Sequence, residues 1–383
     1  MAARNIIRLR ANPTLLDIER ANAESEAIRQ LPVIVVVPRS SSKLCSSDRI
    51  AQFLATVSRR SSRLVVRDYN DSWATESAEN RLLHHIDGVA AIAYCRDAAR
   101  GLIENTKQES APRSLSDRFF NKLLTTARLE EEEAGPARTY VAIDPDHSVP
   151  LELARRDQGY ADFRLTIADI LKQFRDSPGV RYRTRQDAEE KLYSVVYELF
   201  LNTVEHGCEE RGGEKIPGLR YVSFRKHIGT SALSLVRQAD EFEPLANFLR
   251  KRGERGGTKR FLEISIADGG PGIVSHFQAR TKDAKYRMME RRRLIDEIVA
   301  GSLSSKGERP ARPGWGLRTA LSELFDLKAF VSLRTEEFWL CRDFGEPHER
   351  ADDQPFALRD VTLPFPIRRM DGTQFSIFLD FEI

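Results

Sequence analysis

Apolar runs and helical spacing alternate along the first third of the chain. The segment "PVIVVV" at residues 32–37 is continuously apolar and β-branched, which is typical of a strand covered on both faces. "SSDRIAQFLATVSRR" follows with helical spacing and a Ser-Asp start suited to an N-cap, and "SRLVVRDY" is a second candidate strand. This order of strand, helix and strand predicts a small α/β unit over about residues 30–110.

After about residue 160, longer helical periods and alternating strands replace this pattern. We expect an amphipathic helix at "YADFRLTIADILKQFRD", a long helix over about 184–205, and further helices over 285–300 and 317–325. The candidate strands are 221–228, 231–239 and 261–268, followed by "AFVSLRT", "FWLCRDF" and "TQFSIFLDF". Together they predict helices on one face of a largely antiparallel sheet. The short strand "TYVAI" at 139–143 is not assigned to either part.

Length and composition describe an ordinary soluble chain. Its 383 residues are enough for two domains, and 41% hydrophobic with 31% charged residues is typical of a globular protein. We divide it into residues 1–150, an α/β domain of unknown role with an acidic linker around 107–138, and residues 160–383. Four cysteines lie far apart without a C-x-x-C pair, which favours reduced thiols over zinc or disulfides.

Charge and hydropathy restrict the partners. The net charge of +3 does not require nucleic acid, and acids interrupt both basic clusters, at 250–260 and 285–293, so a nucleic-acid partner is not favoured. No apolar run approaches the roughly 20 residues that span a bilayer. The first thirty residues lack the apolar core of a signal peptide. We therefore expect a cytoplasmic protein without a membrane partner.

The stretch "YELFLNTVEHG" at 197–207 places polar side chains on one side of an apolar helix. Glu198, Asn202 and His206 recur at intervals of four, and residues four apart lie one turn above another. The apolar residues around them predict a largely buried helix. The polar stripe therefore faces either solvent or something polar held inside the fold. For His206, a structural role at the helix end is the simpler interpretation.

Glycines stand at three junctions between predicted elements. Glycine lets the backbone approach a ligand closely because no Cβ intervenes. A helix that starts at such a junction also exposes free N–H groups at its positive dipole end, which favours phosphate. The junctions are Asp268-x-Gly270-x-Gly272 after a strand, Gly314-x-Gly316 before a helix, and Gly372-Thr373 before the last strand.

In this order, an E-x-x-x-N helix, D-x-G-x-G after a strand, G-x-G before a helix and Gly-Thr before a strand resemble the GHKL superfamily. Its members include gyrase, heat-shock chaperones, histidine kinases and the mismatch-repair protein MutL. The resemblance covers about residues 160–383. It implies a Bergerat-type α/β sandwich, a mixed, largely antiparallel sheet with helices on one face, that binds ATP and Mg²⁺. No G-x-x-x-x-G-K-[ST] motif is present, so a P-loop is excluded.

The resemblance implies a role for each matching residue. Asn202 would bind Mg²⁺ through its amide oxygen, and Asp268 would accept a hydrogen bond from the adenine amino group. Glu198 would be the general base that orients water. The other cofactor-binding positions are a loop beside the base (Gly270, Gly272, Ile273), a helix start under the phosphates (Gly314, Gly316, Leu317), Thr373 near the adenine, and Lys306 in a mobile lid over 281–312.

The ending "EHG" makes the long helix most similar to the anti-sigma-factor serine kinases of this superfamily. Our leading hypothesis is slow ATP hydrolysis, coupled through the lid to a protein partner or to dimerisation. A protein serine or histidine kinase and a non-hydrolysing, ATP-gated interaction module remain as alternatives. The motifs are spaced more widely than in the compact kinases, which predicts insertions at about 208–260 and 330–370.

Overall fold

Two sheets organise the chain. The computed structural model describes residues 5–38, 43–68, 85–97, 128–131, 137–144, 168, 172, 186–207, 218–229, 232–239, 241–253, 259–301, 303, 316–346 and 356–380. Within them, a three-stranded parallel sheet precedes an eight-stranded sheet whose neighbouring strands all pair antiparallel. The protein is therefore of the mixed α/β class. None of the described helices is long and apolar enough to cross a membrane.

The amino-terminal unit alternates strands and helices, as the sequence predicts. Its strands pair in the order β1-β2-β3, and β2 is the apolar run at 32–37. Helix α1 begins with a capping box, in which Thr14 Oγ1 accepts a hydrogen bond from Asp17 N and Thr14 N donates to the Asp17 carboxylate, both at 3.1 Å. The elements are β1 (Asn5–Arg8), α1 (Leu15–Glu26), β2 (Pro32–Val37), α2 (Ser46–Arg60), β3 (Arg63–Asp68) and α3 (Ile86–Asp97).

The larger sheet is built from both halves of the chain. Its strand order is β10-β9-β8-β11-β7-β6-β5-β4, so the strand that the sequence left unassigned is β5, paired with β6. The elements are β4 (Arg128–Glu131), β5 (Ala137–Asp144), α4 (Gln186–His206), β6 (Gly218–Gly229), α5 (Ala232–Ala239), α6 (Glu243–Gly253), β7 (Lys259–Asp268), α7 (Ile273–Arg280), α8 (Ala284–Arg287), α9 (Arg291–Val299), α10 (Gly316–Asp326), β8 (Phe330–Glu336), β9 (Phe338–Asp343), β10 (Arg359–Asp360) and β11 (Met370–Asp380).

Helices cover both faces of the larger sheet, which corrects the expectation of one covered face. Helices α4, α7, α9 and α10 share one apolar core with the sheet, whereas α5 and α6 pack on the opposite side around Phe261 and Trp339. Helices α2 and α3 pack on that second side as well. The alternation in "LEISI" predicts a half-buried strand, yet Glu263 and Ser265 are also buried. The Glu263 carboxylate is satisfied inside the protein by His227 and Arg225 of the neighbouring strand β6.

Two other expectations differ from the structure. The segment 231–239 was expected to be a strand but forms helix α5, because its buried residues Leu235 and Ala239 are spaced for a helix and short apolar runs are ambiguous. The single helix expected over 285–300 is divided into α8 and α9. Within the predicted lid, Leu294, Ile295 and Val299 pack into the core. Most of the helix expected at 160–176 lies outside the described residues.

A buried ionic cluster joins the amino-terminal unit to the larger sheet. The carboxylate of Glu19 on α1 accepts hydrogen bonds from Arg49 of α2 and from Arg334 of β8, the latter at 2.8 and 3.0 Å. The Arg49 guanidinium lies 4.6 Å from the centre of the Trp339 ring. Burial alone would raise the pKa of Glu19, but the charges of Arg334 and Arg49 lower it below its usual value. The two units therefore share an interior.

Candidate functional site

The polar stripe of α4 faces the start of α10. A Cβ built on Gly316 would lie 2.8 Å from Glu198 Oε2 and 3.8 Å from both Oδ1 and Nδ2 of Asn202. Glu198 and Asn202 are half-buried, and Gly316 places no side chain where they approach the start of α10.

The carboxyl end of the same helix contacts the strand that carries Asp268. Helix α4 ends at His206, and Gly207 N donates to Thr203 O at 2.8 Å. A Cβ on Gly207 would lie 2.5 Å from Asp268 Cβ and 2.6 Å from Thr203 O. Since a helix rises about 1.5 Å per residue, Asn202 and Gly207 are only about 7–8 Å apart along its axis. One helix thus spans two of the predicted motifs.

Asp268 ends β7 and begins a tight loop. Its Oδ1 accepts a hydrogen bond from Gly270 N at 2.8 Å, and Gly270 O accepts one from Gly372 N at 2.7 Å. Asp268 also pairs across the sheet with Thr373 of β11. Gly372 has φ +84°, and a Cβ there would lie 2.1 Å from Asp268 O. The predicted D-x-G-x-G and Gly-Thr motifs are therefore in direct contact.

Two residues of β8 hold the other end of the loop, and the sequence analysis did not identify them. Thr335 Oγ1 accepts from Ile273 N and donates to Gly372 O, both at 3.2 Å. The Glu336 carboxylate accepts from the backbone N–H groups that start α7, at 2.8 and 3.1 Å. Gly272 has φ +91°, and a Cβ there would lie 2.3 Å from Glu336 Cγ, so only glycine fits this position. No local signal identifies these residues, since their roles depend on β8 lying beside β11.

The Asp268 carboxyl group is electrostatically strained. Burial raises its pKa to about 6, although the N–H groups of Gly270 and Thr373 and the charges of Arg59 and Arg220 act in the opposite direction. The group is therefore an acceptor-only carboxylate at neutral pH, held at an energetic cost. A buried acid with a perturbed pKa is more common at functional sites than elsewhere.

The predicted site residues that the structure describes form two neighbouring groups, both beside the carboxyl-terminal part of α4. The first group is Glu198, Asn202 and Gly316, with Leu317 next to Gly316 at the start of α10. The second group belongs to the Asp268 loop and its neighbours: Asp268, Gly270, Gly272, Ile273 and Thr373. Lys306, Gly314 and the side chain of His206 lie outside the described residues.

The donor set at Glu198 and Asn202 suits a hard cation but is incomplete for one. Carboxylate and amide oxygens are ligands of Mg²⁺, which usually binds through one or two protein groups plus phosphates and water. Among the residues that the structure describes, no cluster of three or more His, Cys, Asp or Glu side chains could hold a metal ion by itself. A Mg²⁺ ion here would need oxygen atoms from a phosphate-bearing ligand.

Comparisons of the chain with protein families, with curated proteins and with solved structures find no match in any of the three. The function of the site therefore rests on its own geometry and chemistry.

Proposed function

We propose that this chain is a Mg²⁺-dependent ATP-binding protein whose carboxyl-terminal domain is of the Bergerat type. One observation carries the proposal. The carboxyl-terminal third of helix α4 holds Glu198 and Asn202 beside the start of α10, and Gly207, directly after the helix, meets Asp268. Sequence motifs far apart in the chain thus lie a short distance apart along one helix, which supports phosphate binding beside Asn202 and base binding at Asp268.

At the base end, the ionised Asp268 would accept a hydrogen bond from the exocyclic amine of adenine. The bare backbone of Gly270 leaves the loop without a side chain beside that carboxylate. A base that offers no donor would leave a buried carboxylate unpaired, which is a strong source of discrimination. This chemistry favours adenine over guanine, whose corresponding position is a carbonyl.

At the phosphate end, free N–H groups at the start of α10 and the positive end of its dipole would bind the phosphates. Asn202 would hold the metal ion through its amide oxygen. When bound, Mg²⁺ would neutralise phosphate charge and so permit the Glu198 carboxylate to lie nearby. Each chain group at this end thus has a complementary partner in a magnesium nucleotide.

Glu198 is the group placed to support hydrolysis. It lies one helical turn from Asn202, and its Oε2 lies 2.8 Å from where a Cβ on Gly316 would be. A carboxylate at this position can orient a water molecule and take its proton. We propose slow hydrolysis, with the segment 281–312 coupling the nucleotide state to a partner or to dimerisation.

Calorimetry and labelled ATP test these roles. Asn202→Ala is expected to lose Mg²⁺-dependent ATP binding, because it removes the protein oxygen ligand. Glu198→Gln is expected to keep binding and lose phosphate release, whereas Asp187→Asn, at an exposed position of the same helix, serves as the matched control. Label transferred to protein would support a kinase instead, and binding without turnover would support a gated module. Absence of any heat with ATP and Mg²⁺ would end the proposal.

A further inference from the structure

The last turn of α2 reaches the Asp268 loop from the amino-terminal unit. Arg59 Nη1 donates a hydrogen bond to Gly270 O at 3.0 Å, the same oxygen that accepts from Gly372 N. The Arg59 guanidinium also lies 3.9 Å from the carboxylate of Asp371, which stands at the start of β11, two residues before Thr373. One side chain from outside the predicted domain thus contacts both glycine-containing segments at the base end.

Neighbouring contacts fix α2 in this position. Thr56 Oγ1 accepts from Asp371 N at 2.8 Å, one turn before Arg59. Near the other end of the helix, Arg49 Nε donates to Gln374 Oε1 at 3.0 Å. Helix α2 is therefore attached along its length to β11, and the approach of Arg59 to the loop follows from that attachment.

Helix α3 supports the same loop from a second direction. Tyr94 Oη accepts a hydrogen bond from Leu219 N at 3.1 Å. A Cβ on Gly269 would lie only 2.2 Å from Tyr94 Oη, so the loop packs directly on this hydroxyl. The amino-terminal unit thus forms a wall of the candidate site.

We propose that Arg59 is a positioning residue of the nucleotide site, which holds the Gly270 carbonyl so that the loop presents Asp268 to the base. This inference rests on the proposed function. Arg59 acts through the loop and through its charge, without contact to the ligand. The charged groups that face this region are Asp268 on β7, Arg220 on β6, Asp371 on β11, Arg369 just before β11, whose guanidinium donates to Pro271 O and pairs with Asp371, and Arg59 itself.

The charge of Arg59 gives the role a measurable signature. Its positive charge lowers the pKa of Asp268 against the larger effect of burial. Without it, the carboxylate would protonate at a higher pH, and the acceptor for the adenine amine would be lost. A purely structural contact would weaken binding equally at every pH.

The test is calorimetry of ATP and Mg²⁺ binding from pH 5 to 8 with the full chain. Arg59→Gln is expected to bind ATP about tenfold more weakly at pH 7, the usual effect of losing one charge-assisted hydrogen bond, and to lose binding at a higher pH than wild type. Arg59→Lys keeps the positive charge but lacks the planar guanidinium group. It is therefore expected to bind ATP with the pH midpoint of wild type but with weaker affinity. Arg29→Gln, at an exposed arginine of the same unit, is the control and should match wild type.

The outcomes separate the two proposals. If wild type binds no ATP, the proposed function fails and this inference fails with it. If wild type binds ATP and Arg59→Gln has the same affinity and pH midpoint, only the role of Arg59 is wrong. If Arg59→Gln does not fold, the role of Arg59 is tested with Arg59→Lys alone. An ATP affinity of Arg59→Lys equal to that of wild type would then overturn the positioning role.

Discussion

Replacing Asp268 with asparagine is expected to stabilise the folded protein at neutral pH while weakening ATP binding. Burial moves the pKa of this carboxyl group from its usual 3.8 to about 6. A difference of about two units corresponds to about 3 kcal/mol of unfavourable free energy when the group is ionised in the folded state. Asparagine has the same shape and no charge, so it removes that penalty.

Part of this gain is lost through hydrogen bonding. The carboxylate accepts from the N–H groups of Gly270 and Thr373, and a neutral amide oxygen accepts such bonds without the charge that strengthens them. This weakening offsets about 1–2 kcal/mol. A net stabilisation of about 1–2 kcal/mol is therefore expected above pH 6.

The sign of the pH dependence is fixed by the direction of the shift. A carboxyl group whose pKa is raised on folding contributes stability that is fully present below pH 3.8 and is lost as the pH rises through about 6. The advantage of Asp268→Asn should therefore grow between about pH 4 and pH 6 and disappear at lower pH. Urea unfolding followed by circular dichroism at pH 4, 5, 6 and 8 would measure it.

Glu24→Gln, which alters an exposed carboxylate on α1, controls for the general effect of removing a negative charge. ATP affinity of both variants should be measured in parallel, because only Asp268→Asn is expected to lose it. If Asp268→Asn is less stable than wild type at pH 8, or if its effect does not change with pH, then the carboxylate carries no penalty from burial and the electrostatic argument is wrong.

Three further substitutions test the packing of the site and its support. Gly316→Ala places a methyl group 2.8 Å from Glu198 Oε2, so phosphate release should fall by more than ATP affinity. Gly207→Ala places one 2.5 Å from Asp268 Cβ, where the neighbours cannot move away, so ATP affinity and thermal stability should both fall. Glu19→Ala leaves two buried arginines unpaired and should lower the free energy of unfolding by about 3–5 kcal/mol, measured by urea titration.

Each of these has an outcome that contradicts it. Equal losses of affinity and turnover in Gly316→Ala would place Glu198 outside the reacting region. Wild-type ATP affinity in Gly207→Ala would show that this contact does not shape the base end. For the ionic cluster, the matched control is Glu26→Ala on the same helix, whose partly exposed carboxylate should contribute less than about 1 kcal/mol. A similar effect of both changes would refute the argument from burial.

Local sequence was sufficient for several parts of the site. The interval of four between Glu198 and Asn202 determines a shared helix face, because any helix brings such residues into line. The strand ending at Asp268 follows from alternation, and Gly372 follows from its residue type at a junction before a strand, where the structure has a positive φ. These features depend on neighbours in sequence, so periodicity and residue type predict them.

Only the tertiary structure decided what covers the second face of the larger sheet. The alternating polar residues of β7 resemble a solvent-facing row, yet Glu263 is buried because α2 packs on this face of the sheet, and its carboxylate meets His227 and Arg225 of β6. Arg59 and Gly270 meet for the same reason, although each looks ordinary in its own segment. A polar side chain follows the same sequence pattern whether its partner is water or a distant residue. Packing determines which of the two it meets.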